Sequence, residues 1–300
     1  MAKILILGSS GFIGQHALAM FTHAIGISLR DHGWRNAFSS ASVVLNLVGK
    51  AHDLEGTATE QDYYYANIEL SKQIFKEFLK SPATLFIHVS SLAALEEFES
   101  SNQLKELDEC HPVSWYGQSK RAAEEWLLSQ QLPPDKKLII LRPPMVHGPG
   151  DKGNLGLLYK LISKGIPYPL SSFNNKRSFI SVDNFSFFIQ QILDNQERLD
   201  SGIYHIADDE PISTQEIINI IKKVTGKNVP NVYLPRFLVK GIARIGDVIP
   251  IPLNSKRLKK MTSDLLVSNA KIKKVLGIEK LPLTAKEGLE KTIKSFKHSL

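Results

Sequence analysis

Gly8-Ser9-Ser10-Gly11-Phe12-Ile13-Gly14 follows an apolar run at residues 3–7 and opens a stretch with helical spacing. The three glycines are evenly spaced, three residues apart. Gly8 permits a tight turn, Gly11 lets the backbone approach a pyrophosphate, and Gly14 lets a helix lie close on a strand. The unpaired N–H groups at the start of that helix favour phosphate charge. Glycines alone are ordinary turn chemistry, and the strand–turn–helix context gives them meaning. The stretch therefore predicts a dinucleotide site containing Gly8, Gly11, Phe12, Ile13 and Gly14.

The rest of the chain agrees with that beginning. Apolar runs at 24–29, 42–48, 85–89, 138–141 and 204–206 read as strands. Helical spacing covers 14–21, 61–79, 116–128, 155–163, 182–193, 214–224 and 285–296. Alternation of strand and helix predicts an α/β fold: a doubly wound parallel sheet of Rossmann type with a smaller C-terminal substrate-binding lobe. The expected boundaries are 1–147 for the dinucleotide-binding domain, completed by about 178–206, with 148–177 and 207–300 forming the lobe. Residues 171–176 read as an exposed loop.

The cofactor's identity turns on the end of the second strand, which reads Ile27-Ser28-Leu29-Arg30-Asp31. Arg30 can clamp a 2′-phosphate, which favours NADP(H). Asp31 can instead accept the ribose hydroxyl of NAD(H), which stays possible.

Tyr116-Gly117-Gln118-Ser119-Lys120 puts a phenol and an ammonium on one helix face. Tyr116 is the one tyrosine of the chain with lysine four residues on. Bringing a phenol from pKa ~10 to near 7 needs roughly 4 kcal/mol of differential stabilisation. Positive charge from Lys120 and from an oxidised nicotinamide acts in that direction. Ser90-Ser91 closes the strand at 85–89, and the carboxyl ends of parallel strands line the ligand crevice. A hydroxyl there can polarise a reacting oxygen. Ser91, Tyr116 and Lys120 are thus the expected catalytic residues, with Tyr116 and Lys120 also meeting the cofactor.

In this order, the glycines, serine, tyrosine and lysine resemble the extended short-chain dehydrogenase/reductase family of nucleotide-sugar epimerases, dehydratases and reductases. The resemblance implies that Leu47, Val48 and Gly49 lie beside the cofactor, that Asn67 is a structural asparagine, and that Pro143 belongs to a loop over the nicotinamide. It also implies that Arg177 meets a substrate diphosphate and that Asn154 lies near the substrate. Within the family, the run from Gly148 to Asn154 and the tail near Ser263-Asp264-Leu265 resemble a branch that makes bacterial surface sugars. Three departures stand out. Residues 15–41 show no separate strand bearing the Asp-Leu signal that usually holds the adenine, His147 stands where the family often has tyrosine, and no Asp-Glu pair follows Ser91. The last argues against dehydration.

With 43% hydrophobic and 22% charged residues, the composition is that of a soluble globular protein. No apolar run is long enough to span a bilayer, and the start reads as a strand rather than a secretory leader. A single cysteine excludes an internal disulfide, fits a cytoplasmic setting and leaves no metal site to expect. The net charge of +7 reads chiefly as solvated surface with a share for anionic substrate. Nucleic acid is not expected, because the tail lysines lack interleaved aromatics. The expected reaction is NADPH-dependent reduction of the C4 ketone of a UDP-linked 4-keto-6-deoxy-N-acetylhexose. The alternatives are a UDP-sugar 4-epimerase and a non-catalytic dinucleotide sensor. By resemblance, the helices at 61–79 and 116–128 pair two copies into a homodimer.

Overall fold

Six parallel strands form the central sheet of the computed structural model, which describes residues 3–51, 57–151, 153–167, 173–249 and 254–298. Lys152, Ser171 and Ser172, which fall in the runs singled out above, lie outside the described residues. The first half of the chain runs β1 (Ile4–Leu7), α1 (Phe12–Met20), β2 (Ile25–Ile27), β3 (Val43–Asn46), α2 (Glu60–Tyr64), α3 (Leu70–Lys80), β4 (Leu85–Val89), α4 (Trp115–Leu128) and β5 (Lys137–Arg142). Then come β6 (Met145–His147), α5 (Asn154–Ser163), β7 (Phe179–Ser181), α6 (Val182–Asp194) and β8 (Gly202–His205). Helices α7 (Thr214–Thr225), α8 (Arg236–Ile245), α9 (Ser255–Thr262), α10 (Ala270–Leu276) and α11 (Ala285–Ser295) complete the order.

The sheet order is β2-β1-β3-β4-β5-β8, every pair parallel. Strand order reverses at β1, so the crevice for a ligand lies beyond the carboxyl ends of β1 and β3. The strands are buried on both faces, which explains their unbroken apolar runs. Ile6, Leu45 and Ile87 pack with α1 and α6 on one face, and Leu7, Val44 and Phe86 pack with α3 and α4 on the other. A second core joins α5, α7 and α11 through Leu155, Ile221 and Leu289.

Two expectations need correction, and one feature adds to them. The second strand is shorter than 24–29, because the chain leaves the sheet at Ser28, whose N–H donates to Asp31 Oδ2 at 3.2 Å. The helix expected at 61–79 is interrupted by a π-turn at Tyr65–Glu69. The two-stranded β6–β7 sheet was not foreseen. Among the described residues, a 3-10 helix at Trp34–Ser40 follows β2, and β2 is the sheet's edge.

Candidate active site

At the glycine turn, two glycines are required by the protein's own packing and one is not. Gly8 has φ +83°, and a Cβ there would lie 2.8 Å from the Leu47 carbonyl carbon. A Cβ on Gly14 would overlap the Gly8 carbonyl oxygen and sit 2.7 Å from Ser9 Cα. A Cβ on Gly11 would meet only the Gly8 oxygen, at 3.3 Å, and Gly11 is exposed. Helix α1 starts there with no side-chain cap and no acidic residue in its first turn. An exposed, uncapped, acid-free helix start beside a glycine that packing does not demand fits a dinucleotide pyrophosphate. Ile13 turns inward and packs on the core. Phe12 approaches the loop after β6, where a Cβ on Gly148 would lie 3.3 Å from its ring.

Helix α4 carries Tyr116 and Lys120, and its start is fixed by a group that sequence reading missed. Glu97 is buried and accepts hydrogen bonds from the N–H groups of Val113 (3.1 Å) and Ser114 (2.7 Å). Ser114 caps the helix, accepting from Gly117 N–H. Gly117 must be glycine here, since a Cβ would lie 2.5 Å from both the Ala93 carbonyl oxygen and Glu97 Oε1. The Glu96-Glu97 pair therefore serves backbone amides, Glu96 accepting from the N–H groups of Glu97 and Phe98.

Lys120 is buried, and its ammonium donates to the Val89 carbonyl at 3.0 Å. Burial lowers its pKa to about 8, partly opposed by Glu124. A Cβ on Gly49 would come within 3.0 Å of Lys120 Nζ and 2.6 Å of Asn67 Oδ1, so this residue leaves room for both. Asn67 sits in the π-turn, fully buried. It accepts from Lys50 N–H at 2.8 Å and donates to the Lys50 carbonyl and to Ser119 Oγ. The wider turn presents that amide, a recurrent use of π-turns at functional sites.

Ser91 lies just past the end of β4, half-buried, with its hydroxyl accepting from Ala93 N–H at 3.2 Å. Burial raises the Tyr116 phenol above its ordinary pKa, against a hydrogen bond from Ser91 that lowers it, while Glu97 and Tyr63 add to the rise. This departs from the expectation that Lys120 draws the phenol downward. Without a bound cation beside it, Tyr116 keeps its proton. Below the pair, Glu124 and Arg142 are fully buried and joined by two hydrogen bonds, at 2.8 and 2.6 Å. Ser90 Oγ donates to the same carboxylate. These bonds tie α4 to the ends of β4 and β5.

Pro143 is buried, and its carbonyl accepts from Leu92 N–H at 2.8 Å. The loop it begins is pinned to α1 through His16 Nε2 and the Pro149 carbonyl, 2.8 Å apart. His147 is fully buried, with Nδ1 2.9 Å from Thr292 Oγ1 and its pKa lowered to about 4 by burial. It is a packed group, away from solvent. Leu47 and Val48 lie where β3 ends, with Leu47 N–H donating to the Leu7 carbonyl. Arg30 is exposed in the turn after β2.

Arg177 and Asn154 are less closely drawn in. The Arg177 guanidinium donates to the carbonyls of Phe98 (3.1 Å) and Ser263 (3.2 Å), and burial lowers its pKa to about 10. It is thus anchored beside a cleft of about 640 Å³ lined by Glu96, Ser100, Phe173, Arg236, Ser263 and Asp264. Asn154 is the exposed first residue of α5, and the helix is capped by Gly153 without a side-chain bond.

Comparison with known proteins places this geometry in a group. Residues 4–207 match the NAD dependent epimerase/dehydratase family. A UDP-glucose 4-epimerase of Vibrio cholerae is 26% identical, over 98% of this chain and 95% of that one. An N-acetyl-α-D-glucosaminyl-diphospho-ditrans,octacis-undecaprenol 4-epimerase of Escherichia coli O157:H7 is 24% identical, over 78% of this chain and 75% of that one. The crystal structure of UDP-glucuronic acid 4-epimerase from Bacillus cereus in complex with NAD superposes with TM-score 0.76 at 18% identity, covering 99% of each chain, a likeness of fold.

Proposed function

The chain belongs to the NAD dependent epimerase/dehydratase family and is an NAD(P)-dependent enzyme, and from that premise we propose that it inverts C4 of the hexose of a UDP-sugar. The reading rests on one observation. Tyr116 and Lys120 share one face of α4, with Ser91 drawing the phenol's pKa down against burial and Lys120 buried against Gly49 and the Val89 carbonyl. The relatives move the weight from the reduction expected above to epimerisation.

Gly8, Gly11 and the start of α1 hold the cofactor pyrophosphate, with Leu47, Val48, Gly49 and Pro143 closing round the rest. A dinucleotide held there would supply a reversible hydride acceptor for C4, and inversion requires the 4-keto sugar to present its other face before the hydride comes back. Tyr116 takes the C4 hydroxyl proton and later restores it from its phenol. Its raised pKa suits the second task. The first requires positive charge beside the ring, which the Lys120 ammonium helps to provide. Ser91 holds the reacting oxygen in reach of the phenol. Arg177 would meet the substrate diphosphate, and Asn154 would lie near the substrate. Exposed Tyr64 on α2 and Trp115 and Leu128 on α4 support the twofold pairing of these helices.

The test is incubation with UDP-glucose and UDP-N-acetylglucosamine, followed by proton NMR at C4. The expected result is interconversion of the C4 epimers without net consumption of NADPH. A second reading, NADPH-dependent reduction of a 4-keto sugar, is favoured by the end of β2. There Arg30 is exposed, while the Asp31 carboxylate is engaged by Ser28 N–H. Stoichiometric NADPH oxidation with a 4-keto substrate, and no epimer from UDP-sugars, would select it.

A further inference from the structure

Helix α8 and the turn after it expose more large apolar surface than any other described stretch of similar length. Phe237 is 71% exposed, Leu238 47%, Ile242 43%, Ile245 54%, Val248 87% and Ile249 53%. Leu238, Ile242, Ile245 and Ile249 recur at spacings of four, three and four, one stripe along a helix. The helical path continues past Ile245, because Ile249 N–H donates to the Ile245 carbonyl at 2.8 Å. Val239 and Ala243 alone are buried, and they anchor α8 to the second core.

The border of the stripe is basic. Arg236, Lys240 and Arg244 recur every four residues, all exposed, and Arg236 also lies over the Phe173 ring. Between residues 227 and 262 the sequence holds eight lysines and arginines against one aspartate, a surplus equal to the whole chain's +7. Lys259 and Lys260 pair with Glu99 and Glu97. The α8 cations stand beside open apolar side chains. Two copies meeting at this face would bring like charges together. A surface that is anionic on the outside and apolar beneath meets both features.

We propose that α8 docks the protein on an anionic lipid surface, with its apolar stripe entering the headgroup boundary and its cations meeting the lipid charge. Arg236 lines the cleft beside Arg177, so docking holds the mouth of that cleft at the headgroup layer. On the functional reading above, that cleft would take the diphosphate end of the UDP-sugar; the docking itself does not depend on that reading.

The experiment is cosedimentation of the full chain with vesicles of phosphatidylcholine, alone or mixed with phosphatidylglycerol. The expected result is binding to the mixed vesicles only, weakening as salt rises. Lys240→Ser with Arg244→Ser should lower the affinity by about fivefold per cation removed. Phe237→Ser with Ile245→Ser should lower it by about tenfold or more. Both double variants should keep wild-type turnover of a soluble UDP-sugar, so a failure of docking and a failure of the sugar chemistry are read separately. The proposal is overturned if the mixed vesicles bind no protein at low salt, or if neither double variant weakens binding. It is equally overturned if the wild type forms a dimer, without lipid, that Phe237→Ser with Ile245→Ser dissolves.

Discussion

Beneath the crevice, Lys120, Asn67, Glu124 and Arg142 are almost wholly buried and each is hydrogen-bonded to a neighbour; on α8, Phe237, Ile242 and Ile245 face solvent. The first region keeps charge inside and the second keeps apolar surface outside. Both arrangements cost stability relative to the reverse, since burying a charge is expensive unless it is paired and exposed apolar area forgoes its transfer gain. The crevice meets its cost with neighbours: the Val89 carbonyl for Lys120 and the Glu124 carboxylate for Arg142. Helix α8 has no such compensation within the described residues, which is why its apolar face calls for something outside the chain.

That contrast can be tested from its strongest consequence downward. Tyr116→Phe removes the phenol hydroxyl, and kcat should fall by about 10²–10⁴-fold with the unfolding midpoint almost unchanged. Steady-state kinetics beside a thermal melt checks both. Glu124→Ala leaves the Arg142 charge buried without its carboxylate and should cost about 3–5 kcal/mol in urea unfolding. Gly49→Ala should push Lys120 or Asn67 aside, because the new Cβ would lie 3.0 and 2.6 Å from them, and lower kcat by roughly 10²-fold. At the other extreme, Phe237→Ser should change unfolding free energy by about 0.5 kcal/mol or less, as an exposed site permits.

Acid sharpens the same comparison. His147 and His205 are buried with pKa values lowered from 6.5 to about 4 and about 3, chiefly by burial, and His88 is lowered in the same way. Between those values and 6.5 the unfolded chain binds more protons, so this contribution is complete above pH 6.5 and is lost as pH falls. Asp208 runs the other way: burial raises it from 3.8 to about 7, so its contribution is lost as pH rises towards 7. The expected net result is a melting temperature that climbs from pH 4 to 6.5, and climbs more steeply in Asp208→Asn. A flat profile in both proteins would contradict it. Lys120 adds a separate signature: in the free chain its ammonium discharges as pH rises through about 8, so activity should decline there.

Local signals were legible from the sequence where they are strong. The strand at Leu85–Val89 is as expected, the glycine turn opens α1, and Lys120 reaches the Val89 carbonyl at the end of that strand. Long-range pairing was not legible. Glu97 acts on residues 113 and 114, and His16 meets the Pro149 carbonyl far along the chain. Strands β6 and β7 are three residues each, too short to show a period. Helix α8 escaped because buried Val239 and Ala243 alternate with exposed apolar neighbours round Gly241, which blurs the one-sided pattern of an ordinary surface helix.

The central claim is that Tyr116, tuned by Lys120 and met by Ser91, moves the proton that accompanies hydride transfer at C4 of a UDP-sugar. The most direct measurement is C4 epimerisation of UDP-glucose and UDP-N-acetylglucosamine, followed by NMR, with wild-type protein and Tyr116→Phe at equal cofactor occupancy. The predicted result is interconversion by the wild type and near-complete loss in the variant. Undiminished turnover by Tyr116→Phe would contradict it.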